Sequence, residues 1–180
     1  MRPILRTLLL SLVALAAIPL TAGRAAACAR LFVVFFPEPG STNIPPVFDA
    51  RIGAVVNYYT DRREWTEVNR RTNCGPLPPG DWKIVLLAHA DDPGTRDPCA
   101  LSLLRGHAVR ARLAALGIPE ASIAVEAFGD RSKLVPTPRG RSDAQNRRVE
   151  LIVVDSLQVV DRSSYTRMRD MPAHACPERR

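Results

Sequence analysis

Four short apolar runs, divided by two segments of helical periodicity, constrain the fold of this chain more than any other feature. Residues 29–36 (Ala-Arg-Leu-Phe-Val-Val-Phe-Phe) are rich in β-branched and aromatic side chains and stop at Pro37, which marks a buried first strand. Residues 37–46 read as a loop. Phe48, Ile52, Val55, Val56 and Tyr59 then recur on one helical face, so a helix begins just after Pro46. The polar stretch 62–71 can extend this helix, and residues 72–80, with three prolines, form a connector. Residues 83–88 are a second strand, whose near-continuous hydrophobicity predicts cover on both faces. Asp97 can cap and Pro98 can open a second helix running to Leu116, with Leu101, Leu104, Ala108, Ala111 and Ala115 along one side. Gly117 and Pro119 end it. Residues 123–128 are a third strand, 129–145 a long proline-containing loop and 147–154 a fourth strand.

The order is β-α-β-α-β-β. Strands that alternate with helices include parallel pairs, and the last strand can return antiparallel after its long loop. The expected fold is an α/β (α+β) two-layer sandwich: a mixed four-stranded sheet with helices on one face. Its domain is expected over residues 28–154, with an irregular, polar tail over 155–180. Composition agrees, since 180 residues with 46% hydrophobic and 24% charged side chains describe an ordinary globular chain with room for one real core.

Residues 1–27 carry the marks of a secretory signal. Arg2 and Arg6 give a basic start, residues 8–20 are uncharged, and Ala25-Ala26-Ala27 offers small side chains for cleavage. The apolar run is shorter than the roughly 20 residues that span a bilayer, and Pro19 interrupts it. The chain is therefore expected to be exported, to the periplasm or the periplasmic face of an outer membrane. Without residues 1–27, which hold three arginines and no acid, the formal charge falls from +7 to +4. That is too mild to argue for nucleic acid, and export argues against it.

Cys28, Cys74, Cys99 and Cys176 are an even number in a chain read as exported, so disulfides are the default. If the first two strands run parallel they start at one end of the sheet, which brings Cys28 near Cys74 and leaves Cys99 for Cys176. Cys28 has an alternative fate. It directly follows the alanine triplet, where a bacterial lipoprotein carries its lipid, although residue 25 is Ala where lipoproteins usually have Leu. A lipid there would be the chain's one link to a membrane.

Three segments concentrate the chemistry: Ala88-His89-Ala90-Asp91 at the end of the second strand, Leu101-Ser102-Leu103-Leu104-Arg105 early in the second helix, and Gln145-Asn146-Arg147-Arg148-Val149-Glu150 entering the fourth strand. Together they resemble the OmpA-like C-terminal domain, a module also found in peptidoglycan-associated lipoproteins and flagellar stator proteins. There the corresponding segments usually look like Gly-His-Thr-Asp, Leu-Ser-x-x-Arg-Ala and Asn-Arg-Arg-Val-Glu. Residues 31–36, Phe128-Gly129-Asp130 and Leu134-Val135-Pro136-Thr137-Pro138 continue the resemblance, so it runs in order from about residue 30 to 154.

The resemblance implies non-covalent binding of peptidoglycan through the diaminopimelate of its stem peptide, with Asp91 as the acid and Arg105 as the helix arginine. Ala90, Leu101 and Arg148 are candidate supports. Elementary chemistry suits the pair. The free end of diaminopimelate is a zwitterion, so a pocket needs a fixed anion for the ammonium and a guanidinium for the carboxylate. Arg105 lies about two turns into its helix and leans back toward the strand end where Asp91 lies. Asn146 is expected to tie down the loop before it, and Arg147 or Arg148 to brace the sheet.

The chain also departs from the family. Ala88 and Ala90 replace the usual Gly and Thr, Gly106 follows the helix arginine in place of Ala, and Pro98 or Cys99 stands where an Asn is customary. Pro37 replaces an acid common after the first strand. These changes leave open a second function, a degenerate OmpA-like fold kept as a protein-interaction module for other envelope proteins. Catalysis is not expected. There is no Gly-x-Ser-x-Gly, phosphate loop or convincing carboxylate pair, and an exported Cys99 is a poor nucleophile. His89, Asp91, Asp92 and His107 lack the spacing of a metal site, so no metal or cofactor is expected.

Overall fold

The computed structural model describes residues 31–61, 82–91, 93–138, 140–155 and Cys176. The expected signal segment 1–27, Cys28, the stretch 62–80 with Cys74, and the tail apart from Cys176 lie outside the described residues.

The β-branched first run forms β1 (Leu31–Phe35). A 3-10 turn over Pro46–Phe48 leads into α1 (Asp49–Thr60), which buries Ile52, Val55 and Tyr58. The near-continuous apolar run forms β2 (Trp82–His89). Pro98 opens α2 (Pro98–Ala115), and the Asp97 carboxylate accepts from the Ala100 N–H at 2.9 Å, the cap expected from sequence. β3 (Ile123–Gly129) and β4 (Arg148–Asp155) complete the fold.

The sheet order is β1-β4-β2-β3. β2 pairs in parallel with β3, while β4 runs antiparallel to both β1 and β2. The mixed four-stranded sheet inferred from sequence is therefore present. Both helices pack on one face of it, where Ile52, Val55, Val109 and Leu113 meet Ile84, Leu86, Val149 and Leu151. β2 is central, and every residue from Ile84 to Ala90 is at most 1% exposed. Its lack of alternation follows from burial on both faces. Among the described residues, no helix is long and apolar enough to cross a membrane.

One expectation fails within α2. Its buried stripe is Ser102, Arg105, Gly106, Val109 and Leu113, whereas Leu104 on the predicted side is 56% exposed. Helical periodicity places apolar residues inward by default. Here a serine, an arginine and a glycine take inward positions because their polar groups find partners and the backbone must come close. A Cβ built on Gly106 would lie 2.4 Å from Val125 Cγ1 and 3.4 Å from Ala88 Cβ. Glycine at this position thus lets α2 settle against β2 and β3.

Candidate functional site

The carboxyl end of β2 opens between two loops, one joining β1 to α1 and one joining β3 to β4. Parallel pairing of β2 with β3 forces the chain to cross over through α2, which lays the first turns of that helix beside the strand end. The Ser102 hydroxyl, wholly buried, accepts from the Gly129 N–H at 3.0 Å and donates to the Cys99 carbonyl at 2.9 Å, so it ties the helix start to the end of β3. Gly129 has φ +56°, and a Cβ there would meet the Cys99 backbone at 3.3 Å. The Ala90 N–H donates to the Gly129 carbonyl at 2.8 Å, continuing the β2–β3 pairing past an irregularity at Ala88/His89.

Asp91 follows directly and is 5% exposed. Its two oxygens have different surroundings. Oδ2 accepts from Asn146 Nδ2 at 2.8 Å, the Asp143 N–H at 3.0 Å and the Thr137 hydroxyl at 3.3 Å. Oδ1 faces the Lys133 ammonium at 2.9 Å, and that lysine side chain is 28% exposed. The same ammonium donates to Thr137 Oγ1 at 2.6 Å. Burial alone would raise the Asp91 pKa, but hydrogen bonds from Lys133, Asn146 and the Asp143 N–H, with the charge of Lys133, outweigh it and hold the carboxyl below its ordinary value.

Arg105 is fully buried. Its guanidinium lies over the Phe36 ring, 5.1 Å from the centroid, and donates to the Ser41 carbonyl at 2.9 Å and the His89 carbonyl at 3.5 Å. The head therefore reaches the same strand end as Asp91. Among the described residues, however, the ion-pair partner of Asp91 is Lys133 and not Arg105.

The remaining members of the third motif build the frame. Asn146 is 1% exposed; its Oδ1 accepts from the Leu134 and Val135 N–H groups at 2.7 and 2.8 Å, and its Nδ2 donates to Asp91 and to the Val135 carbonyl. It ties down the β3–β4 loop, as its place in the sequence suggested. Arg147 joins the two loops, donating to the Phe36 and Pro37 carbonyls at 3.0 and 2.6 Å and to Ser142 Oγ at 3.1 Å. Arg148 points to the sheet face opposite the helices, where it pairs with Glu150 at 2.7 Å and reaches the Ser132 carbonyl. It braces the sheet. Ala90 contributes a buried methyl and a backbone bond, and Leu101 is half-buried on α2. His89 stacks on Phe128 at 5.5 Å and lies 3.8 Å from Glu150.

Cys99, in the first turn of α2, is joined to Cys176, whose N–H donates to the Ala127 carbonyl of β3. The expected Cys99–Cys176 bridge is present, while Cys28 and Cys74 lie outside the described residues.

Sequence reasoning missed Ser41, Ser102, Lys133, Thr137 and Asp143. Ser102 and Thr137 stood inside the quoted motifs without a role. Lys133 had no signal of its own, since its importance comes from a loop that folds back across 42 residues to Asp91.

Comparison with known proteins places this architecture. No family model matches the chain. The peptidoglycan-associated lipoprotein of Burkholderia pseudomallei superposes with a TM-score of 0.51 at 22% identity, over 68% of this chain and 90% of that one. The periplasmic domain of Helicobacter pylori MotB (residues 78–256) gives 0.51 at 14% identity, over 75% of this chain and 82% of that one. The fold is that of an OmpA-like domain. In sequence, an outer membrane protein of Gluconacetobacter diazotrophicus is 36% identical over 66 residues, 37% of this chain. The matched region spans 18% of the length of that relative. Within the OmpA-like frame, Asp91 and the Arg105 guanidinium lie at the carboxyl end of a parallel strand, the end at which open α/β sheets commonly take ligands.

Proposed function

We propose that this chain binds peptidoglycan non-covalently, gripping the diaminopimelate head of a stem peptide at the crevice beyond β2, and so anchors an envelope protein to the bacterial wall. One observation carries the proposal: Asp91 Oδ1 faces a partly exposed cation, Lys133, at the same strand end where the Arg105 guanidinium lies. The ligand ammonium takes the position at Asp91 Oδ1. The ligand carboxylate takes a fork of Arg105, displacing the Ser41 carbonyl. The OmpA-like fold, shared with a peptidoglycan-associated lipoprotein, supports this reading, as does the signal-like N-terminus for a periplasmic location. The same residues hold a ligand without breaking a bond in it, so the role is binding and not catalysis. Each pocket supplies few contacts, and the wall repeats the ligand many times, so tethering or multiple copies would firm up the attachment.

A second reading is favoured by the complete burial of Arg105 and the 5% exposure of Asp91. In it, both charges serve the fold, and the domain is an interaction module for other envelope proteins. Sedimentation with purified sacculi separates the two. Wild type should pellet with the wall, whereas Asp91→Asn and Arg105→Lys, each checked for folding by circular dichroism, should stay in solution. Equal pelleting of all three would leave the interaction-module reading. Release of soluble wall fragments over time would argue for an enzyme.

A further inference from the structure

We infer that Lys133 is an internal stand-in for the ligand ammonium and sets the specificity of the site, an inference that rests on the binding reading above. The two oxygens of the Asp91 carboxylate are held differently, one by three loop donors and the other by a lysine. Oδ2 takes three donors, all from the β3–β4 loop, one of them a backbone N–H and one a side chain that is 1% exposed. Oδ1 takes one partner among the described residues, the Lys133 ammonium at 2.9 Å. This is the cation on Asp91 that can leave. Its side chain is 28% exposed, its stem is flexible, and its other contact among the described residues is the Thr137 hydroxyl rather than a second anion.

The consequence is selectivity. A bare ammonium entering the site exchanges one cation for another at Oδ1, and it competes with a tethered group at high effective concentration. It gains almost nothing. A headgroup that brings an ammonium and a carboxylate together has a second interaction to offer, at Arg105, and can displace the lysine. The tethered cation therefore sets a threshold that admits zwitterionic amino-acid ends, such as that of diaminopimelate, and rejects simple amines, such as the side chain of a lysine-type stem peptide. In the empty site the same lysine neutralises Asp91 and keeps the loop in place.

The test uses the full chain, with meso-diaminopimelate and cadaverine as probes in an NMR titration. Wild type should bind diaminopimelate weakly and cadaverine not measurably. Lys133→Met keeps the stem and removes the charge. It should bind diaminopimelate about two- to fivefold more tightly, the factor expected for removing a partly exposed ion pair from competition, and should acquire measurable cadaverine binding. Lys133→Gln provides a second neutral variant should the methionine disturb folding. If the neutral variants fold and bind diaminopimelate no more tightly than wild type, while Asp91→Asn abolishes binding, the stand-in role is wrong and the site survives. If Asp91→Asn binds like wild type, or if no form binds diaminopimelate, the binding reading fails and the inference falls with it.

Discussion

Asn146 offers the sharpest test of how the site is held. Replacing it with Asp changes one NH2 group to an oxygen and little else in shape. The two bonds accepted from the Leu134 and Val135 N–H groups survive, because the variant keeps an acceptor there. The two bonds donated to Asp91 Oδ2, at 2.8 Å, and to the Val135 carbonyl, at 2.7 Å, are lost. A hydrogen bond to a charged group contributes about 1.5–3 kcal/mol and a neutral one about 0.5–1.5. The loss is therefore about 2–4.5 kcal/mol before repulsion between two buried carboxylates is added. That repulsion raises the pKa of one of them, and a shared proton restores a donor. Urea unfolding should show Asn146→Asp destabilised by about 3 kcal/mol or more near neutral pH, with the deficit shrinking as pH falls toward about 4.5. Asn146→Ala, which has no second carboxylate, should hold its deficit level down to about pH 4.5 and lose it only as Asp91 itself protonates at lower pH. A cost under about 1 kcal/mol for Asn146→Asp, or a deficit indifferent to pH, would refute the placement of this amide between the loop and Asp91.

Further outcomes follow from the same geometry. The Asp91 carboxyl titrates below its unfolded value, so its stabilisation is complete above an unfolded pKa near 3.9 and is lost as pH falls through the folded one. Asp91→Asn should flatten the acid limb of a stability–pH curve, and an unchanged limb would count against the hydrogen-bonding scheme. Gly106→Ala should cost about 1–3 kcal/mol through the clash with Val125, and Gly106→Ala/Val125→Ala should recover part of that cost relative to the two changes summed. Cys99→Ser/Cys176→Ser opens a link across 77 residues and should lower stability by up to about 4 kcal/mol in chemical denaturation. A loss within error would mean that the bridge constrains the unfolded chain little.

Most of the architecture was legible because it rests on local rules. β-branched runs, the spacing of Phe48 to Tyr59, and the Asp97–Pro98 helix start each act over a few residues, and the structure has β1, α1, β2, α2, β3 and β4 where they lie. The bridge between Cys99 and Cys176 is the pairing left over when strand direction brings Cys28 near Cys74, and it is present, while Cys28 and Cys74 lie outside the described residues. The face of α2 was misjudged because burial of Arg105 and Ser102 depends on acceptors and donors from other elements: the Ser41 carbonyl, the Phe36 ring and the Gly129 N–H. Periodicity cannot see such partners.

What the sequence determined by itself was the order of strands and helices and the nomination of Asp91 and Arg105. Tertiary structure decided who touches whom at the end of β2. Arg147 draws the first loop to the last, and Asn146 fastens the last loop to Asp91. Among the described residues, Lys133 and not Arg105 takes the second oxygen of the acid. The physical reason is range. Propensity and capping are settled between neighbours in the chain, whereas a buried charge is satisfied by whatever the fold brings within 3 Å, and loops bring partners from any distance in sequence.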